Sequence, residues 1–459
     1  MVYIICLQFE DDMSKKKAKK KNPEPPKSQV KLSLCMITKD EEKNIEKALG
    51  WVKNIAFEMI VVDTGSTDRT VEIAEQMGAK IYHFKWQNDF SAAKNHAIEQ
   101  ATGNWIAFLD ADEYFSPEDA KKLFSRLKEI ENNKHKYINT IVIKTPIYQL
   151  NDDGEISSID EQTRIFRNNE KTRYFGRIHE ELLIYGEVTD YNDISVIHTG
   201  YAETVYRENN KIQRNEKILR EELALKPNDI KIKGYLADTL QSKMVLENYS
   251  NTEDIAEVDV LFKEVAESID SVPDILKIKA YKYLLSKILN NPEKYDECRE
   301  LCSKAYNEYP DNLDFCYFYA GMLNIKSEYE NAWKILKKAE KLSDTNVKNN
   351  TVPVGSASTP AAIHSQLLLA AQGLGDIENT LKYAELLLES DKTNQNILNP
   401  YIQKLLNKGL PEDKVLERLG RVYDIKAPAD LMLIAKAAVA GGAIDFAKMI
   451  MTITGELMG

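Results

Sequence analysis

Two short apolar runs that each stop at an aspartate, set among helical segments, constrain this chain more than any other feature. Residues 59–62 read as a strand that ends at Asp63, and residues 105–109 as a strand that ends at Asp110. A strand over 32–37 precedes them, followed by a helix whose apolar face is Ile45, Leu49 and Val52, spaced for a 3.6-residue period. After Asp63 the segment Thr64-Gly65-Ser66-Thr67-Asp68 supplies turn and N-cap residues, and the next helix runs to Gly78, a suitable stop. Residues 80–84 form a third strand and 90–101 another helix. Repeated βαβ units imply an α/β fold, with a mostly parallel sheet and helices on both faces. Ligands in such sheets sit beyond the carboxyl ends of the strands, where Asp63 and Asp110 both stand.

Beyond residue 206 the strand signals stop. The remainder reads as paired helices with turns near Pro227, Pro273, Pro310 and Asp391, a period of about 40 residues or its double. Segments 328–339 and 375–384 look like half-repeats of one kind, with Ala332, Ala339 and Ala384 where helices must approach closely. They resemble the tetratricopeptide pattern, and stacked pairs of that kind build a curved solenoid. Residues 347–360, rich in Asn, Ser, Thr and Pro, read as a long loop, and the Lys- and Pro-rich residues 1–28 as a disordered tail. The expected division is therefore a tail over 1–28, an α/β domain over 29–205 and a helical-repeat domain over 206–459.

Composition excludes several classes. A net charge of -11 argues against a nucleic-acid partner, because phosphate backbones are held mainly by Lys and Arg. No apolar stretch approaches the length of a transmembrane helix; the nearest, 431–453, is broken by Lys436, Asp445 and Lys448. The five cysteines are scattered, which fits buried reduced thiols rather than a disulfide framework or a zinc site. With no signal-peptide pattern at the amino end, the expected compartment is the cytoplasm.

Chemistry concentrates in the α/β region. Asp110 and Asp112, one residue apart just past a buried strand, can converge on one divalent cation together with phosphate oxygens, a donor set that suits magnesium or manganese. Acidic residues before a helix are also explained by its dipole. Asp63 can accept from a base N–H or a ribose hydroxyl, whereas Asp68 reads as a cap for the following helix.

Taken in order, the segments 36–42 (Met-Ile-Thr-Lys-Asp-Glu-Glu), 62–68 (Val-Asp-Thr-Gly-Ser-Thr-Asp), 88–95 (Asn-Asp-Phe-Ser-Ala-Ala-Lys-Asn) and 108–113 (Phe-Leu-Asp-Ala-Asp-Glu) closely resemble glycosyltransferase family two. The resemblance spans residues 31–201. Segments 163–167, 174–181 and 196–201 look like the subgroup in which helical repeats follow the catalytic domain; it includes bacterial protein and peptide glycosyltransferases, among them the sublancin-type enzymes that glycosylate cysteine.

That resemblance implies a GT-A fold and an inverting transfer from a UDP-sugar. Carried over residue by residue, it implies that Thr38 and Glu41 line the nucleotide pocket and that Asp63 reads the uracil or ribose. Asp110 would hold ribose and metal, Asp112 would be the direct metal ligand, and His198 a further ligand. Glu180 occupies the place of the catalytic base, with Glu181 as its competitor, because neighbouring strand residues face opposite sides. Lys94 stands where the family usually has Arg, so the charge is kept and the planar fork lost. Arg164 and Arg167 contact phosphate or acceptor, or are solvated. The implied cofactor is Mg2+ or Mn2+. The expected acceptor is a protein or peptide side chain (Ser, Thr or Cys) on the concave solenoid; alternatives are a lipid-linked saccharide or lipopolysaccharide core, and a non-catalytic nucleotide-binding scaffold. The apolar terminal helices, 431–440 and 444–453, suggest a homodimer through that end.

Overall fold

Alternation along the first strand sets the two faces of the sheet. In this computed structural model β1 (Leu32–Thr38) sends Leu32, Leu34 and Met36 into one core and Cys35 into the other. Residues 30–199 and 211–458 are described, apart from 134, 135, 138, 152, 250, 290 and 349–357. The expected tail, the region about residue 206 and most of the expected 347–360 loop lie outside the described residues.

The first half of the α/β region is built as its pattern predicts. β1 is flanked by β2 (Glu58–Asp63) and β4 (Trp105–Phe108), and β2 by β3 (Lys80–His83), all parallel. The first core takes Ile45 and Leu49 of α1 (Ile45–Gly50), Val52 just after it and Ala74 of α2 (Thr70–Gln76). Ala97 and Ile98 of α3 (Phe90–Glu99) pack on the opposite face with Ile60, Val62 and Phe108. Gly78 closes α2 at φ +87°, a left-handed conformation that Gly takes without a Cβ penalty.

The second half turns the sheet mixed. The order runs β3-β2-β1-β4-β7-β6-β11-β5, with β7 (Ile156–Arg167) antiparallel to β4 and to β6 (Thr140–Leu150). Strand β5 (Glu113–Phe115) precedes α4 (Pro117–Asn132), which Ser116 caps by accepting from the Asp119 amide. A two-stranded sheet, β8 (Tyr174–Phe175) with β9 (Glu181–Leu182), stands apart. The chain then adds β10 (Glu187–Asp190) parallel to β6, and β11 (Val196–His198) between β6 and β5. The architecture is the α/β GT-A arrangement followed by helices.

Beneath β1 and β2 lies a buried tie. Glu58 accepts from Ser33 Oγ at 2.8 Å, from the Thr102 amide at 2.6 Å and from Lys80 Nζ at 2.8 Å. Burial would raise its pKa, but these donors outweigh it and hold the carboxyl down at about 2. Gly103 crosses here so closely that a Cβ would lie 2.5 Å from the Lys31 carbonyl oxygen. That approach seats the start of β4, and so the position of Asp110 beyond its end.

Chain contacts form two compact units, Met1–Ala280 and Tyr281–Gly459. The first unit therefore includes the helices after the sheet: α5 (Lys211–Leu225), α6 (Ile230–Leu246) and α7 (Thr252–Glu267), each packed on the next. α8 (Asp274–Ile288) spans the division. In the second unit α9 (Tyr295–Glu308), α10 (Leu313–Ile325), α11 (Tyr329–Lys348), α12 (Pro360–Gly373), α13 (Ile377–Ser390), α14 (Gln395–Asn407), α15 (Glu412–Leu419), α16 (Pro428–Ala440) and α17 (Ile444–Met458) follow. Asn312, Thr359 and Asp376 cap three of these helices by accepting first-turn amides. Ala332, Ala339 and Ala384 are all buried at helix contacts. Among the described residues the cysteines are free and buried, and no helix is long and apolar enough to cross a membrane.

Candidate active site

The parallel strands deliver their last residues to one edge. Thr38 and Asp63 are register neighbours at the ends of β1 and β2, and both are buried. The Asp63 carboxylate accepts from the amides of Gly65 and Ser66 at 3.1 Å, so it organises the turn that follows. His83 Nδ1, from the neighbouring strand, lies 3.5 Å from it. Asp68 accepts from the Thr70 amide at 3.0 Å and from the Glu42 amide at 3.1 Å, tying the α2 entry to the segment after β1. Glu41 accepts from Asn44 Nδ2 at 2.9 Å; burial, reinforced by Asp112, raises its pKa.

Asp110 lies beside two cations. Arg164 Nη2 donates to it at 2.6 Å and to Glu113 at 2.5 Å, and Lys94 Nζ lies 3.5 Å away. Lys94 also pairs with Glu180 and sits 5.1 Å from the Tyr174 ring centre. Burial works against ionisation of Lys94, Asp110 and Arg164, yet their mutual attraction wins: Lys94 and Arg164 stay well above their ordinary pKa and Asp110 well below. Glu113 is shifted the other way, because burial and the Asp110 charge outweigh Arg164. The pair thus holds one firm anion at Asp110, about a third exposed, in front of a buried carboxyl.

Asp112 faces away from this pair. Its Oδ2 lies 3.2 Å from His198 Nε2, and its carbonyl accepts from the Thr199 amide at 3.1 Å. His198 Nδ1 meets Gln149 Oε1, while Gln149 Nε2 donates to Asp160 at 2.8 Å. Burial lowers the His198 pKa, but the Asp112 hydrogen bond and charge outweigh it and raise it, so the protonated ring donates from Nδ1 to Gln149 and from Nε2 to Asp112. With Nε2 deprotonated the two groups present ligand atoms about 3 Å apart, a spacing that suits neighbouring ligands of one small divalent ion. The pair therefore fits a cation, with Gln149 orienting the imidazole from behind. Among the described residues no group of three His, Cys, Asp or Glu side chains could hold an ion unaided. Further oxygens would have to come from the bound diphosphate and water.

The structure separates the paired candidates. Glu180 joins Lys94, whereas Glu181 pairs with Lys231 on α6. Arg164 enters the cluster, whereas Arg167 is held on the other face of β7 by Glu131 and the Thr140 carbonyl, over the Trp105 ring. An odd separation of three along a strand sends the two arginines to opposite sides.

Among the described residues, the buried polar atoms with no hydrogen-bond partner include Thr38 Oγ1, Tyr174 Oη and Arg164 Nε at this edge. The Tyr174 hydroxyl is pushed up to about 12, chiefly by burial. Native interiors rarely leave such groups unpaired, so a polar ligand is the natural partner for them. Residue-by-residue reasoning gave no role to Glu113, Tyr174 or Gln149. It also missed Arg214 on α5, whose guanidinium lies 4.9 Å over the Phe90 ring; its pKa is lowered by burial, with Glu180 opposing. Phe90 and Lys94 are one turn apart on α3, which brings Arg214 to the Lys94–Glu180 pair. Only the packing of α5 on the domain reveals this.

Residues 33–174 match the model of glycosyl transferase family 2, and the chain carries such a domain. Over 228 residues it is 33% identical to a TPR repeat-containing protein of Synechococcus elongatus, covering 48% of this chain and 53% of that one. Over 211 residues it is 34% identical to the SPbeta prophage-derived glycosyltransferase SunS of Bacillus subtilis, covering 45% and 48%. The chain thus spans about half the length of these curated relatives. Among solved structures, S. aureus TarS 1-349 in complex with UDP-GlcNAc aligns with a TM-score of 0.33 at 14% identity, covering 61% of this chain and 90% of that one.

Proposed function

We propose that this protein is an inverting glycosyltransferase that moves a hexose or N-acetylhexosamine from a UDP-sugar to a Ser, Thr or Cys side chain of a protein or peptide. The observation that carries this reading is that Asp63, Asp110, Asp112 and Glu180, from three separate segments, stand at the edge where Thr38 Oγ1, Tyr174 Oη and Arg164 Nε lack hydrogen-bond partners. The family 2 match and the resemblance to peptide-modifying enzymes support the donor and acceptor classes.

Each residue has a part in this scheme. Thr38, Glu41 and Asp63 border the nucleoside, with Asp63 accepting from the base or ribose. Lys94 and Arg164 hold Asp110 ionised toward a ribose hydroxyl. Asp112 and His198 would hold Mg2+ or Mn2+. When bound, the ion offsets the charge that grows on the leaving diphosphate. Glu180 takes the proton from the acceptor as that atom attacks the anomeric carbon. The buried, unpaired Cys35, Cys298, Cys302 and Cys316 support action in a reducing compartment, the cytoplasm.

Purified protein given a panel of nucleotide sugars should release UDP from a UDP-sugar. Asp63→Ala should weaken UDP binding by about 1–3 kcal/mol, the cost of leaving a buried donor unpaired. Calorimetry showing full UDP affinity in Asp63→Ala would assign that carboxylate to the turn alone.

The terminal helices favour self-association. Met432, Val439, Ile444, Met451, Leu457 and Met458 are exposed on α16 and α17, apolar side chains that a second copy would cover. Light scattering at micromolar concentration should give the dimer mass, and a monomer there removes this part of the reading.

A further inference from the structure

Around Glu180 the chain alternates between two sets of partners. Arg177 Nη2 bonds Glu221 of α5 at 2.7 Å, and its Nε donates to the Asn88 carbonyl at 3.0 Å. The His179 ring stacks on Tyr235 of α6, with centres 3.9 Å apart and planes inclined by 6°. Glu181 pairs with Lys231 of the same helix. Residues 177, 179 and 181 thus all engage the helices, while Glu180 turns to Lys94, beside Arg214 of α5. Lys231 and Tyr235 are four residues apart, so they share one face of α6 and grip the segment on either side of Glu180.

The backbone shows why a grip is needed. His179 holds φ at +51°, a conformation that a residue with a Cβ keeps only where its surroundings enforce it. Gly176, at φ +90°, bends the chain into this turn, whose ends are held by the short Tyr174–Phe175 and Glu181–Leu182 ladder and by the Phe90 amide and Ser91 hydroxyl, which donate to the Arg177 and Gly176 carbonyls at 2.8 and 2.6 Å.

We propose that the α5–α6 hairpin, residues 211–246, is a positioning element of the active site, and that Tyr235 and Lys231 hold the 177–181 turn so that Glu180 faces Lys94 and Asp110. This inference rests on the assignment of Glu180 as the base. It gives the first helices a role in the chemical step, distinct from acceptor binding.

Full-length Tyr235→Leu, Tyr235→Phe and Lys231→Met test it, with UDP release from UDP-glucose and UDP-N-acetylglucosamine as the readout and Glu180→Gln in parallel. A misplaced catalytic group costs about 100-fold for a shift of about 1 Å. Tyr235→Leu and Lys231→Met should therefore lower kcat by about 10- to 100-fold, with UDP affinity unchanged. Tyr235→Phe, which keeps the stack, should restore wild-type kcat, as should the exchanged pair Lys231→Glu with Glu181→Lys. Hydrogen exchange gives an arm independent of turnover: amides of 177–181 should exchange faster in Tyr235→Leu and not in Tyr235→Phe. If Glu180→Gln is inactive while Tyr235→Leu keeps full kcat, the hairpin role falls and the base assignment stands. If Glu180→Gln is as active as wild type, both fall. Unchanged exchange in Tyr235→Leu, or an equal loss of kcat and UDP affinity, also overturns the proposal.

Discussion

Glu180→Gln is expected to lower sugar transfer by about two to four orders of magnitude while UDP-sugar binding survives. The amide keeps the shape of the carboxylate and cannot accept a proton. Glu180 is well placed to act as the base, since it is mostly buried, it borders Asp110 through Lys94, and its neighbours on either side are engaged elsewhere. Glu181→Gln loosens only the tie to Lys231 and should cost far less. An inactive Glu181→Gln beside an active Glu180→Gln would move the base by one residue. The acceptor changes the size of the effect, because a thiol is already a few per cent ionised at neutral pH and leans less on a base. A small defect with a cysteine peptide and a large one with a serine peptide would identify the linkage. Melting curves must accompany the kinetics, since the Gln variant leaves the buried Lys94 ammonium with Asp110 as its remaining anion.

Asp112→Asn is expected to abolish turnover with the fold intact, and EDTA should do the same to the wild type. Asn retains the size of Asp and loses the charge that a hard divalent ion requires. The partner of Asp112 is His198, itself set by Gln149, so the substitution leaves an imidazole aimed at a neutral amide. Added Mn2+ or Mg2+ should restore the EDTA-treated wild type and not the variant. Full activity in EDTA with no added ion would dispose of the metal-dependent scheme.

Sequence order alone placed the strands at 32–37, 59–62 and 105–109, and with them Asp63 and Asp110 at a ligand-binding edge. Those features are local: apolar runs of strand length, turn residues and helix periods write themselves into consecutive positions. Asp63 shows where local reading stopped short, since its carboxylate also organises the Gly65–Ser66 turn, a role its place at a strand end does not announce.

What only the tertiary structure decided concerns pairs of residues far apart in the chain. That Glu180 meets Lys94 of α3 while Glu181 meets Lys231 of α6 follows from where α3, α6 and the β8–β9 ladder hold the 177–181 turn. Arg164 and Arg167 parted because pairing of β7 with β4 and β6 sends one side chain toward Asp110 and the other toward Glu131. Gln149 came behind His198 through the register of β11 on β6, where the two are direct partners. A single sequence states which residues alternate; it does not state which side of the alternation is inward. That choice is made when distant segments bury their apolar faces together, because a slip of one residue would turn every side chain of the strand to the opposite face.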